Sequence, residues 1–380
     1  MSTEKQQLYD EKLERVKKAS NLEKVDRVPV ISMAQTWAID YAGSNAQDCF
    51  SSVDREFEVY AKHLLDFDFD GTALFGMNRP LPMYESLGFS PFFFSKDGIS
   101  IQHSDNCILP DEEIDEYIAN PILYLRNKAI YRRFPALQQD FPKDIEALGN
   151  ALQLMFAHKQ KTDSIPGYLR EHVGTPMING DLMEPALDRY IGYRSFAKGM
   201  SDLRRRPEKV LEALEATYPI VAPAPLPMQD FPWVFYPVVT ITYLNRKNFE
   251  KFFWPTAKRS MEKVVELGGK VSIALEGSWS HVYDYLLELP KGSVIAFIEG
   301  DDFIQAKKDL GDKICIAGGM DFNLFQKGTK EECIESMRRI LGECGTQGIM
   351  ITNQKGLISP GDINVDNLRA AIDFIHEYKC

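Results

Sequence analysis

The sequence predicts an α/β protein built as a single (β/α)8 TIM barrel, and three observations predict it. Eight short apolar runs bounded by turn residues are separated by longer amphipathic stretches, and strands that alternate with helices pair in parallel. The clearest run, Lys270-Val271-Ser272-Ile273-Ala274-Leu275-Glu276-Gly277, is apolar without alternation, as a strand covered on both faces is. A length of 380 residues suits one such barrel carrying insertions.

The first predicted strand, 28–33, follows a charged, helix-forming stretch at 1–27. That stretch lacks an apolar centre and reads as a helical extension rather than a secretory signal. Further strands fall at 71–75, 176–179, 234–241, 271–276, 294–299, 314–317 and 348–352, with amphipathic stretches at 53–65, 193–203, 207–218, 249–267, 280–289, 303–310 and 330–344. One connection breaks the rhythm: about a hundred residues separate the second and third strands, far more than a βα loop needs. Within it, Phe92-Phe93-Phe94 and Ile99-Ser100-Ile101 flank Lys96-Asp97-Gly98, a hairpin signature, and 145–158 reads as a helix. The segment 80–170 is therefore expected to be an insertion on one domain spanning 1–380.

Composition narrows the function classes. A formal charge of −11, from 44 basic and 55 acidic side chains, argues against a nucleic-acid or anionic-membrane surface, which needs clustered Lys and Arg. No stretch approaches the roughly 20 apolar residues of a membrane helix. The six cysteines, Cys49, Cys107, Cys315, Cys333, Cys344 and Cys380, form no C-x-x-C pair. They read as reduced thiols of a cytoplasmic protein.

Glu276 is the first candidate for chemistry, because it ends a buried strand where α/β proteins place their sites. Glu299 ends the next strand. Adjacent strands lie about 4.8 Å apart, so the two acids would share one rim, able to hold a metal or to raise one another's pKa. The competing reading is that each caps the helix that follows it.

Arg27-Val28-Pro29-Val30, Asp68-Phe69-Asp70-Gly71, Phe252-Phe253-Trp254-Pro255, Gly318-Gly319-Met320-Asp321 and Lys327-Gly328-Thr329-Lys330-Glu331-Glu332, in this order and spacing, resemble the uroporphyrinogen decarboxylase superfamily. That superfamily includes corrinoid-dependent methyltransferases. The resemblance implies a TIM barrel with its site at the C-terminal mouth. It also implies an arginine-rich segment after the first strand in true decarboxylases, but Ser32-Met33-Ala34-Gln35-Thr36-Trp37-Ala38 has no arginine. The decarboxylase aspartate falls near Met77-Asn78, and the histidine of the last loop is replaced by Lys355. The methyltransferase branch implies a zinc held by His-x-Cys and a later Cys, positions occupied here by Ala274, Glu276 and Lys355. The zinc-thiolate site is absent, and zinc or another divalent metal on Glu276 is left open.

The expected catalytic residues are Glu276, Lys355 and Glu299, with Lys355 either gripping a substrate carboxylate or pairing with Glu276. Trp37, Asn78, Asn179, Asp181, Tyr243 and Asp321 are expected to contact substrate, each against the plainer reading of turn or core residue. None of the six histidines has ligand spacing. The resemblance, with the decarboxylase residues missing, favours methyl transfer from a small methylated donor, O-demethylase-like, to a corrinoid-binding partner protein, with a homodimer left open. A decarboxylase or lyase of a smaller acid is the alternative, and a non-catalytic corrinoid- or tetrapyrrole-binding barrel is a further one.

Overall fold

The computed structural model describes residues 4–180, 182–223 and 233–378. Seven strands form one parallel sheet: β1 (Val30–Ser32), β2 (Gly71–Thr72), β5 (Trp233–Val238), β6 (Lys270–Leu275), β7 (Val294–Ile298), β8 (Cys315–Met320) and β9 (Ile349–Asn353). Their order is β2-β1-β9-β8-β7-β6-β5, and β3 (Phe92–Phe94) pairs with β4 (Ile101–His103) in a separate antiparallel hairpin. The eighth expected strand, 176–179, is not a strand. Pro176 has no N–H to give to a ladder, and the segment instead makes isolated bridges to both edges of the sheet. The N–H of Thr72 donates to Pro176 and that of Ile178 to Thr72, each at 2.9 Å. On the other side Gly180 donates to Trp233 and Met183 to Phe235, again at 2.9 Å. The sheet thus curls until its edges meet across 176–183, an arrangement of the TIM-barrel type.

Strand ends differ from the expected ones for local reasons. The strand expected at 234–241 stops at Val238, and Thr240–Tyr243 forms a tight helical turn. The strand expected at 71–75 is two residues long, because the Thr72 hydroxyl turns back to the Leu74 carbonyl at 2.6 Å. The helix expected at 145–158 runs from Lys143 to Tyr168. Among the described residues, no helix is long and apolar enough to cross a membrane.

The N-terminal helix Glu4–Ser20 buries Tyr9, Leu13, Val16 and Ala19 on one stripe, the three- and four-residue spacing of a face that packs. It lies across the N-terminal ends of the strands. Lys12 pairs with Asp68 at 2.8 Å, and Lys270, which opens β6, donates to the Ser20 carbonyl at 3.2 Å. At the centre of this end is Asp70, fully buried, which accepts from Arg15 and Arg27 at 2.6 Å and from the N–H of Val30 at 2.9 Å. A buried carboxylate with such partners cannot be removed without stranding the cations around it. Asp70→Asn should therefore cost roughly 3 kcal/mol in urea unfolding. Asp26→Asn, at the exposed arm of the same Arg15, should cost under about 1 kcal/mol; equal losses would mean that Asp70 does not organise this end.

Candidate functional site

The mouth is set by strand register. Leu275 of β6 stands opposite Ile298 of β7, so the next residues, Glu276 and Glu299, leave the sheet side by side. The loops that follow are interlocked. The N–H of Gly300 donates to the Gly277 carbonyl at 3.0 Å, and a Cβ at Gly300 would come within 2.6 Å of that oxygen. Gly277 has φ +70°, and a Cβ there would meet the Thr242 hydroxyl at 2.6 Å. Glycine is thus required at both turns by close approach, and at Gly277 by conformation as well.

The two acids are served unequally. Glu299 accepts from the N–H of Gly277 at 2.6 Å and sits 3.5 Å from the Lys355 ammonium. Glu276 is half-buried, and among the described residues no side chain donates to its carboxylate. Burial first, and the neighbouring Glu299 charge second, push its pKa up from the ordinary glutamate value to about 7, with Lys355 opposing. Glu276 therefore holds a proton on the acid side of neutrality, well above the ordinary glutamate range.

Neither acid caps the next helix, since Asp302 caps Phe303–Leu310 and Asp301 holds the turn after Glu276, accepting from Trp279 N–H at 2.7 Å and the Tyr283 hydroxyl at 2.8 Å. Lys355 reaches Glu299, where pairing with Glu276 had been one expectation, and its side chain is otherwise 57% exposed.

The other expected contacts divide. Asn179 is buried in the barrel, its side-chain oxygen accepting from Ser272 of β6 at 2.8 Å while its amide nitrogen has no partner among the described residues. Tyr243 is exposed on the turn after β5, edge-on to Phe196 with ring centroids 5.0 Å apart. Asn78 is exposed, in a loop that Glu56 and Lys161 anchor through Met77. Trp37 belongs to the core: it is 3% exposed and stacks on Tyr41 at 5.0 Å, so it does not line an open cavity. Asp321 is a helix cap, accepting from the N–H of Leu324 at 2.7 Å. Asp181 lies outside the described residues.

Sequence reasoning missed Asp188. It lies in the first turn of the helix Ala186–Arg194, takes a hydrogen bond from the Thr240 hydroxyl on one oxygen, and leaves the other buried without a partner. Burial, then Glu184 and Glu276, raise its pKa well above the ordinary aspartate value. Its place beyond the expected strand 176–179 was readable, but its inward aim was not.

Thiolate chemistry has no support here. Burial pushes the Cys315 thiol up to about 12 and Cys344 up to about 11, so both are neutral thiols near pH 7. Ala274, Glu276 and Lys355 do not fit a zinc-thiolate ion. Among the described residues, no group of three or more His, Cys, Asp or Glu side chains is arranged to hold a metal.

Comparison with known proteins bears on the C-terminal half most directly. Residues 193–378 match the family Uroporphyrinogen decarboxylase (URO-D), a span that contains Glu276, Glu299 and Lys355. Among solved structures, a methyltransferase from Methanosarcina mazei superposes with a TM-score of 0.62 over 96% of this chain and 97% of that one, at 14% identity. No curated protein matches.

An acid whose pKa is raised on folding binds its proton more tightly in the folded state, so Glu276 weakens the fold as pH rises from the ordinary glutamate range through about 7. Glu276→Gln should stabilise the protein by on the order of 2 kcal/mol at pH 8 and leave it nearly unchanged at pH 4. Urea midpoints at the two pH values check this, and a difference independent of pH would place the charge elsewhere.

Proposed function

We propose, from the match of residues 193–378 to the uroporphyrinogen decarboxylase family, that the chain transfers a methyl group from a small methylated oxygen donor to a corrinoid held by a partner protein. The observation that supports this most is Glu276, an acid with a pKa of about 7 at the barrel mouth with no described side chain donating to it. A corrinoid held by the partner would supply the electron pair that takes up the methyl group as the donor's methyl–oxygen bond breaks. The leaving oxygen gains negative charge as it departs, and Glu276 is protonated and placed to neutralise it by general acid catalysis. The products are the methylated acceptor, the free hydroxyl compound and an ionised Glu276, which regains its proton from water. Glu299 accepts from the N–H of Gly277 and pairs with Lys355, and after burial it is the second cause of the raised Glu276 pKa. The superposition with a methyltransferase supports the barrel as a scaffold for this reaction class. The decarboxylase alternative needs Lys355 for a substrate carboxylate, and Glu299 already engages that lysine.

The test is to mix the protein with a reduced corrinoid protein and a panel of methoxylated donors and to follow the corrinoid absorbance. Methylation should occur with at least one donor, fall about 10²- to 10⁴-fold in Glu276→Gln, and decline above pH 7 in the wild type. No methylation with any donor, or full activity in Glu276→Gln, would overturn the reading.

A further inference from the structure

A cavity of about 520 Å³ lies between the helices of the insertion and the helices Ala186–Arg194 and Pro207–Val221, apart from Glu276. Its volume is that of a small-molecule pocket. Leu125, Phe134 and Ile220 give it apolar walls, and Arg133, Arg189 and Tyr193 line it as well.

The two arginines are poorly satisfied. The Nε of Arg133 is buried without a hydrogen-bond partner, and its guanidinium reaches the Gly192 carbonyl only at 3.4 Å. The Nε of Arg189 lies 3.1 Å from the Glu184 carboxylate yet makes no hydrogen bond. Burial, and then the Arg189 charge among its neighbours, holds Arg133 below the ordinary guanidinium pKa. The two cations therefore repel one another, and the neighbouring acid, Glu184, is paired with Arg189 alone among the described residues. Tyr84 does not line the cavity but stacks on Phe134, which does, with centroids 6.4 Å apart and planes 15° from parallel.

Positive charge, unused N–H donors and apolar walls in one cavity call for a ligand with matching halves. We propose that this cavity binds an organic carboxylate with a flat apolar body, the carboxylate between Arg133 and Arg189 and the body against Leu125, Phe134 and Ile220. The site lies outside the residues matched to the family apart from Tyr193 and Ile220, and it does not rest on the methyl-transfer reading.

Calorimetric titration of the full chain with benzoate and 2-naphthoate tests it, with benzamide and inorganic phosphate as the uncharged and the body-less controls. At least one of the two carboxylates should bind saturably, and each control at least tenfold more weakly. Arg133→Met should weaken the carboxylate at least tenfold while the near-ultraviolet circular dichroism stays native. If that variant does not fold, Arg133→Lys, which keeps the charge and loses the fork, should weaken binding several-fold. No binding of either carboxylate, equal binding of benzamide or phosphate, or unchanged affinity in a folded Arg133 variant would overturn the proposal.

Discussion

The register between β6 and β7 is the constraint from which the character of the mouth follows. With Leu275 opposite Ile298, two glutamates must emerge at one level, and the interlocked turns at Gly277 and Gly300 prevent the strands' ends from parting to relieve them. Two carboxylates in a partly desolvated rim cannot both ionise cheaply. Backbone geometry then decides between them. The N–H of Gly277 faces Glu299 rather than Glu276, and Lys355 sits on the same side. Glu276 has its pKa raised by burial first and by the neighbouring Glu299 charge second. Asp188, held by Thr240 just beyond the neighbouring strand β5, extends this pattern as a second acid burdened by burial and by Glu276.

The two ends of the barrel spend charge in opposite ways. At the N-terminal end, Asp70 is buried but surrounded by Arg15, Arg27 and a backbone N–H, so burial strengthens each contact and fixes the first helix under the strands. At the C-terminal end, one Asp188 oxygen is buried without a partner among the described residues and no described side chain donates to the Glu276 carboxylate. A buried polar atom left without a partner beside a carboxylate pair is what a site awaiting a substrate would leave.

Much of this was legible in the residues because the governing rule was local. The strand ending in Glu276 is a continuous apolar run closed by an acid and a glycine, and its partner ending in Glu299 has the same form, so their proximity followed from parallel order alone. Asp321 was misread because a cap and a substrate contact have the same residue type at the same loop position, and only the distance to the Leu324 N–H separates them. Trp37 was placed in the cavity because it follows the first strand, while a five-residue helix turns its ring onto Tyr41. The partnering of Lys355 with Glu299 and the inward aim of Asp188 depend on side-chain direction across sequence separations that no periodicity encodes. Pro176 was the overlooked local signal, since its missing N–H turns an expected strand into a pair of bridges.

The central claim is that Glu276 holds the proton of this carboxylate pair, and the measurement closest to it is the titration of that one carboxyl group. Infrared difference spectra between the wild type and Glu276→Gln, recorded from pH 4 to 9, isolate its protonated carbonyl band. The account predicts a midpoint near 7 that falls when Glu299 is replaced by Gln, because the like charge is removed. A midpoint in the ordinary glutamate range, or one that does not respond to Glu299→Gln, would contradict it.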